Sequence, residues 1–352
     1  MFYIDPDLPQ VVAAAQWHYE RFYCFVRRKI GRPGCGLAGC SICASGIEAI
    51  VPVIRGIEDF LADDGNLRRI LLGKPEDLLA VTSEFWLSMF GDYDYAAWQP
   101  YFDKKNHAPA AAGAVAANAR RITNHLKQLK SIFCYDWFTQ KEQRHYNAFQ
   151  LTAALSRHTC TYCNRSYTAT VIRKRDGALL VRPTLDHWFP KFNHPLLAVS
   201  FYNLIPSCSA CNSSVKGTDM MNTTEHIHPY LDPSQTSDFE FGYFYREKLD
   251  QYRIFLKTVP GATDKARKTL QGMNLDEVYN THYSELSDLL TIKKNYSGAY
   301  IESIRKLFGG KLSDAEVYRI AFGTEYEEAD FYRRPLSKFK HDILKQLGLL
   351  DQ

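Results

Sequence analysis

The chain has 352 residues, of which 45% are hydrophobic and 14% aromatic, which excludes a disordered or low-complexity protein and suits two or three folded domains. Its net charge of +4 is too small to indicate a partner by itself. The acidic start does not resemble a signal peptide, and no apolar run approaches the roughly 18 residues of a membrane span. We therefore expect a cytoplasmic protein without a membrane partner. Its nine cysteines should be reduced, which favours metal ligation over disulfides.

Residues 1–155 are predicted to form a helical N-terminal domain. Apolar side chains recur about every 3.6 residues in the segments 11–30, 47–61 and 75–90, as expected of amphipathic helices. Pro109 suits a first helical turn, and we predict a further helix over 110–133.

The pattern changes after residue 155, and 156–235 is predicted to be a small separate core. Short strands are expected at 165–172 and 178–182, joined by a turn at Asp176-Gly177. A short helix is expected at 195–202, an extended piece at 203–207 and the start of a helix at 210–216.

Residues 236–352 are predicted to be a helical C-terminal region. Helices are expected at 262–273, 275–290, 296–308, 314–322 and 336–347. The predicted fold class is therefore α+β and mostly α-helical, with a small ββα element between two helical regions.

Two Cys-x-x-Cys pairs lie in the middle of the chain, and 44 residues separate them. They are Cys160 with Cys163 and Cys208 with Cys211. Each turn points two thiolates at one ion, so two turns complete a tetrahedral zinc site. Because no position is left for water, this zinc would be structural. The alternative is four unrelated buried cysteines.

Polar side chains lie between and after these pairs. Neighbouring residues of an extended segment point to opposite faces, so Asp186 and His187 should reach different partners. Asn212 directly follows Cys211, and a carboxylate with an amide oxygen suits Mg²⁺ or Mn²⁺ better than zinc. Lys216 lies one helical turn after Asn212 and should share its face.

The order and spacing of these residues resemble those of HNH endonucleases, over roughly residues 157 to 217. The resemblance implies a ββα-metal core with zinc-binding knuckles and hydrolysis of phosphodiester bonds, most simply in DNA. It makes His187 the general base and Asp186 and Asn212 the ligands of a catalytic Mg²⁺ or Mn²⁺. In this family the middle asparagine, here Asn203, braces the loop that holds the base. Lys216 could hold the scissile phosphate; the alternative is a solvated lysine.

The segment 156–220 is basic, with eight basic and three acidic side chains, so the rest of the chain sums to about −1. We predict that four of these basic residues contact a nucleic-acid backbone. They are Arg173, Lys174, Arg175 and Arg182. The alternative is an ordinary solvated basic face.

Other classes of protein share part of this pattern. A zinc-dependent deaminase would need a glutamate proton shuttle, and 156–220 contains no glutamate. A non-catalytic, zinc-stapled nucleic-acid-binding module would need the cysteines but not Asp186, His187 and Asn212. An HNH nuclease acting on RNA is a further alternative. The segment 228–232 is similar to HNH subunits of bacterial anti-phage systems, which implies an ATPase or regulatory protein partner.

Three more cysteines, Cys35, Cys40 and Cys43, lie in a glycine-rich stretch. With Cys24 or a histidine they could bind a second zinc or, as the other possibility, an iron–sulfur cluster. The sequence does not identify the fourth ligand. Cys134, beside Tyr135 and Trp137, is most simply a core thiol.

Overall fold

The computed structural model describes residues 2–102, 113–140, 146–216, 221–233, 237–296 and 299–350. Within these residues the protein is mostly helical and has three antiparallel pairs of strands. The predicted α+β class is confirmed at this level. No helix in these ranges is both long and apolar enough to cross a bilayer.

Helices make up the first part of the chain. Those described before residue 156 are α1 (Pro9–Lys29), α2 (Arg55–Ala62), α3 (Asp64–Leu72), α4 (Pro75–Met89), α5 (Tyr95–Phe102), α6 (Gly113–Ile132), α7 (Tyr135–Thr139) and α8 (Ala148–Leu155). Proline in the first turn starts α1 and α4, and the Asp63 side chain caps α3. Asn147 and Gln150 form a capping box on α8.

The helices predicted at 11–30 and 75–90 are confirmed as α1 and α4. The helix predicted at 47–61 is wrong in its first half, because α2 begins only at Arg55. Pro52 lacks an N–H group and disfavours a helical residue before it. Pro109 and residues 110–112 lie outside the described residues, and the rest of that prediction matches α6.

Four short strands form the middle of the chain. Strand β1 (Val171–Ile172) pairs with β2 (Leu179–Val181), and β3 (Thr184–His187) pairs with β4 (Leu204–Ser207). The predicted strand at 165–172 is therefore much shorter. Two 3₁₀ turns replace the helix expected at 195–202. A π-helical turn, Cys211–Val215, stands where a helix start was expected, and Lys216 N donates to Cys211 O at 3.0 Å.

The C-terminal part begins with a β-hairpin that the sequence reading missed. Its strands are β5 (Phe239–Arg246) and β6 (Gln251–Thr258), so the prediction of a purely helical region is wrong there. The helices that follow are α9 (Asp264–Met273), α10 (Leu275–Tyr279), α11 (Tyr283–Tyr296), α12 (Ala299–Leu307), α13 (Asp314–Phe322) and α14 (Ser337–Gln346). A 3₁₀ turn at Asn280–His282 interrupts the single helix predicted at 275–290.

Two hydrophobic cores organise these elements. The first joins the N-terminal helices to β3 and β4, so it crosses the predicted boundary at residue 155. Two polar contacts reinforce it, from His18 Nε2 to Val199 O at 2.7 Å and from Ser200 Oγ to Ile70 O at 2.5 Å. The second core packs the β5–β6 hairpin against α11, α13 and α14.

The C-terminal part of the chain contacts the first Cys-x-x-Cys turn. Tyr279 Oη donates to Cys163 O at 2.5 Å, and Leu336 N donates to Asn164 O at 2.8 Å. The Asn164 side chain in turn donates to Phe331 O at 2.8 Å. The middle segment is therefore held by helices from both sides.

Candidate functional site

The four cysteines of the two Cys-x-x-Cys pairs come together. Cys160 and Cys163 lie in a turn before β1, and Cys208 and Cys211 lie at the junction of β4 and the π turn. Their sulfurs are all within 4.8 Å of one another, and Cys163 Sγ is 4.0 Å from Cys208 Sγ. Zinc–sulfur bonds of about 2.3 Å in a tetrahedron place sulfurs about 3.8 Å apart. These four thiols are thus placed to hold a metal ion.

Backbone N–H groups donate to two of these sulfurs. Arg165 N donates to Cys163 Sγ, and Cys211 N donates to Cys208 Sγ, both at 3.4 Å. The pKa of Cys208 lies well below its usual value because the Cys160 thiol and the other two cysteines donate to it. The site thus has the ligand type and the surroundings of a closed, structural zinc site.

Asp186 is buried on β3 and is 2% exposed. Tyr162 Oη donates to Asp186 Oδ2 at 2.5 Å, and Lys216 Nζ lies 3.2 Å from the same oxygen. Lys216 Nζ also donates to His187 O at 3.0 Å. Burial raises the pKa of Asp186, and the Lys216 charge opposes that rise. Lys216 thus lies against Asp186 in the interior, not on a solvent-facing helix surface.

His187, the next residue, reaches a different environment. Its half-buried ring meets the Tyr135 ring edge-on at 4.4 Å between centroids. Nε2 is 2.9 Å from Ala198 O, and a carbonyl only accepts, so this nitrogen carries the proton. Nδ1 then keeps its lone pair, and it has no hydrogen-bond partner in the described chain. Burial lowers the pKa of His187 to about 3, so the ring is neutral.

Asn203 is fully buried and ties the segment after His187 into a loop. Its Oδ1 accepts from Phe189 N at 2.7 Å, and its Nδ2 donates to Phe189 O at 3.1 Å and to Leu197 O at 2.9 Å. One side chain therefore links the start of this loop to its end. Ala198, the acceptor for His187, directly follows Leu197.

Asn212 lies half-buried in the π turn, where its backbone N donates to Cys208 O at 3.1 Å. Its side-chain amide makes no hydrogen bond to any residue that the structure describes.

A cavity of about 470 Å³ lies beside His187. Tyr135 and Ala198, which contact the His187 ring, both line it. Its charged lining residues are Lys127 and Lys130 of α6, with Lys191 and Asp136. Lys191 Nζ is 3.7 Å from Asp136 and 4.6 Å from the centroid of the Tyr135 ring. Neither Lys127 nor Lys130 forms an ion pair within the described residues, so the cavity, hereafter the lysine cleft, has a net positive charge.

The sequence reading did not identify the lysine cleft, because its lysines come from α6 and from the loop after β3. Their only sequence signal is a spacing of three residues on the polar face of a helix. The packing of α6 on the turn Pro195–Leu197 brings them to His187.

The four basic residues predicted to grip nucleic acid lie around the β1–β2 hairpin instead. Arg173 donates to both oxygens of Asp176, at 2.8 and 2.6 Å, and Arg175 is 3.6 Å from the same carboxylate. Arg182 donates to Pro183 O at 2.7 Å and lies over the Phe149 ring. Lys174 is exposed. Their role in binding stays a prediction.

A second group of four cysteines is also placed to hold a metal ion. Cys24 of α1 joins Cys35, Cys40 and Cys43, and their sulfurs all lie within 4.8 Å of one another. Of the two fourth ligands that the sequence left open, Cys24 or a histidine, the structure thus brings Cys24 to the other three sulfurs.

Comparison with known proteins finds one short similarity. A stretch of 80 residues, 22% of the chain, is 35% identical to protein ea31 of Escherichia phage lambda. This stretch covers 24% of that protein, so the chain spans about a quarter of its relative's length. No family model and no solved structure matches the chain. These comparisons do not assign a family or an activity to the chain.

Proposed function

We propose that this protein is a metal-dependent HNH endonuclease that hydrolyses phosphodiester bonds in DNA. The observation that carries the proposal is the state of His187. Its Nε2 is fixed by Ala198 O, its Nδ1 has no hydrogen-bond partner among the described residues, and its ring contacts Tyr135 and Ala198, which line the lysine cleft. A general base needs a held ring, an unprotonated nitrogen and a pKa near the working pH. The negative charge of a bound phosphate would have to raise the pKa of His187 from about 3 toward that pH.

His187 would take a proton from the attacking water at Nδ1. The Nε2–H bond to Ala198 O fixes the tautomer and stabilises the positive charge that the ring gains. The Tyr135 ring holds the plane of the imidazole from the side. Asn203 keeps Ala198 in place, because it ties together both ends of the loop that carries this residue.

Two kinds of metal would suit the types of side chain present. Cys160, Cys163, Cys208 and Cys211 offer four thiolates, which suits a structural zinc ion. Asp186 and Asn212 offer a carboxylate and an amide oxygen, which are ligands that Mg²⁺ or Mn²⁺ accepts. When bound there, such an ion stabilises the negative charge that develops on the leaving 3′ oxygen. Tyr162 orients the Asp186 carboxylate, and the Lys216 charge opposes the rise in the Asp186 pKa that burial causes.

The charge of the lysine cleft is an argument for a polyanionic substrate. Lys127, Lys130 and Lys191 surround a concave surface next to the proposed base. Lysine contacts to phosphates position a strand without reading its bases. We therefore propose that the backbone near the scissile bond lies in this cleft.

The test is cutting of plasmid DNA with Mg²⁺ or Mn²⁺ against EDTA, for the wild type, His187→Ala and His341→Ala. Loss of a general base costs about 10²- to 10⁴-fold in rate, so His187→Ala should show no cutting within the time of the assay. His341 lies half-buried on α14, distant in sequence from the site, and His341→Ala should cut like the wild type. Equal cutting by His187→Ala, or cutting that EDTA leaves unchanged, would contradict the proposal.

The second candidate is a zinc-stapled nucleic-acid-binding module without catalysis. One observation favours it: Tyr162 and Lys216 already satisfy the Asp186 carboxylate. This module would shift DNA or RNA in a gel-mobility assay. It would cut neither nucleic acid, whichever divalent ion is added. An RNA substrate for the nuclease is tested in the same experiment by replacing the plasmid with a structured RNA.

A role in bacterial defence with an ATPase or regulatory partner is a further proposal, which rests on the similarity of segment 228–232. Co-purification of the chain with products of neighbouring genes tests it. Efficient DNA cutting by the isolated chain, with no partner retained, would argue against it.

A further inference from the structure

The second group of cysteines lies outside the proposed nuclease site. Cys24 is fully buried in α1, and Cys35, Cys40 and Cys43 are half-buried in the segment that leads to α2. Cys40 Sγ is 3.7 Å from Cys24 Sγ, and Cys35 Sγ is 3.8 Å from Cys43 Sγ. The proposed nuclease mechanism uses none of these residues.

These sulfur–sulfur distances favour a single bound ion over a disulfide or an iron–sulfur cluster. A disulfide would need sulfurs about 2.05 Å apart. Sulfurs that share one zinc lie about 3.8 Å apart in a tetrahedron, which is close to the two distances of 3.7 and 3.8 Å in this group. An iron–sulfur cluster puts two or four irons between its cysteines and so spreads them farther. The observed spacing, with every sulfur within 4.8 Å of the others, fits a single ion.

The backbone is shaped around this group. Cys35 N donates to Cys24 Sγ at 3.3 Å. A Cβ atom on Gly34 would lie 2.4 Å from Cys43 Sγ and 3.5 Å from Cys24 Sγ, so only glycine fits beneath the sulfurs. The close approach of the sulfurs explains why residue 34 is glycine. Four thiols that met by chance would not require glycine at this position.

The surrounding segment packs only partly on the core, through half-buried side chains such as Ile47, Ile50 and Val53. Residues 31–54 form neither helix nor strand, and Ile42 is the one side chain among them that is fully buried. A segment that buries so little apolar surface gains little from the hydrophobic effect, and a bound metal can supply the missing free energy. At its far end, Ile54 N donates to Gln128 Oε1 at 2.9 Å, and Gln128 Nε2 donates to Pro52 O at 2.8 Å. Gln128 lies on α6, between the two lysines of the lysine cleft.

We propose that Cys24, Cys35, Cys40 and Cys43 bind one structural zinc ion that staples residues 31–54 to α1. The chain then carries two zinc ions, one in the nuclease core and one in the N-terminal helices. The stapled segment reaches from α1 to α6, so this second zinc supports the helix that carries Lys127 and Lys130.

The direct test counts zinc per chain by elemental analysis and native mass spectrometry. The wild type should hold two zinc ions, and Cys40→Ser and Cys208→Ser should each hold one. Cys134 belongs to neither group, so Cys134→Ser is the matched control and should keep two. One zinc in the wild type, or two in Cys40→Ser, would overturn the proposal, as would iron with acid-labile sulfide. None of these counts depends on nuclease activity.

A second measurement needs no variant and holds even if Cys40→Ser does not fold. The native wild-type chain is treated with iodoacetamide, and modified cysteines are identified by mass spectrometry. Metal-bound thiolates are protected, so Cys35, Cys40 and Cys43 should stay unmodified while the half-buried Cys134 reacts. Modification of these three at the rate of Cys134 would refute the second zinc site.

Discussion

The lysine cleft makes a quantitative prediction about DNA binding. Lys127 and Lys130 are exposed, line the cleft beside His187 and form no ion pair in the described part of the chain. Their ammonium groups are therefore free to neutralise phosphates. Replacing both by alanine should remove two phosphate contacts and leave the helix intact, because alanine is the strongest helix former.

The expected loss follows from counterion release. Each phosphate contact contributes about 0.9 to the slope of log K against log salt, so the double variant should lower the slope by about 1.8. Relative to 1 M salt, each contact therefore raises the affinity at 0.1 M salt about eightfold. Two contacts raise it about 60-fold, or by about 2.4 kcal/mol.

The assay is fluorescence anisotropy with a labelled DNA duplex from 50 to 200 mM salt, in His187→Ala protein so that the duplex is not cut. The control is Lys293→Ala with Lys294→Ala, which removes the same charge from exposed positions on α11. Net charge falls equally in both variants, so any difference between them reflects the position of the lysines. An equal loss in both variants, or an unchanged salt slope in the cleft variant, would refute the placement of DNA in the cleft.

Two further predictions concern stability. Asn203→Ala leaves Phe189 N, Phe189 O and Leu197 O without their buried partner, and each unsatisfied group costs about 1–3 kcal/mol, so urea denaturation should show a loss of several kcal/mol. A loss below about 1 kcal/mol would mean that Asn203 does not brace the loop. Burial lowers the pKa of His18 to about 4, whereas the pKa of an unfolded histidine is about 6.5. The contribution of His18 to the free energy of unfolding is therefore present above pH 6.5 and is lost as the pH falls toward 4. From pH 7.5 to pH 5 this loss is about 2 kcal/mol in the wild type and absent in His18→Gln, so the destabilisation caused by His18→Gln should shrink by that amount at pH 5. The same destabilisation at both pH values would contradict the burial of a neutral His18.

The features that sequence reading found are local ones. Cys-x-x-Cys pairs close onto one ion over a single turn, so their spacing alone predicts that four sulfurs can meet. Helices α1, α4 and α13 have strong apolar periodicity and clear start signals, and their predicted bounds agree with the structure to within two residues. Successive side chains of β3 point to opposite faces, and this alternation likewise predicts that Asp186 and His187 reach different surroundings.

The features that it missed depend on distant parts of the chain. The β5–β6 hairpin falls in the region predicted to be helical, although aromatic side chains are dense in both strands. Gly242 interrupts β5, and only the partner strand explains it, because a Cβ there would lie 2.4 Å from the Phe255 ring. The choice of Cys24 over a histidine, and the position of the cleft lysines, depend on the packing of helices, which no local pattern encodes. The π turn that precedes Lys216 is equally invisible to a reading based on a period of 3.6 residues.

The middle segment depends on both flanks for its geometry. On one side, His18 and Ile70 fix the backbone around Val199 and Ser200, close to the carbonyl that holds His187. On the other side, Tyr279 and Leu336 bond to the backbone of the first Cys-x-x-Cys turn. A short segment with two-residue to four-residue strands buries too little apolar surface to hold these positions alone, even with zinc bound. We therefore infer that the helical flanks are part of the site itself, because they set where the His187 ring and the thiols of the Cys-x-x-Cys pairs lie.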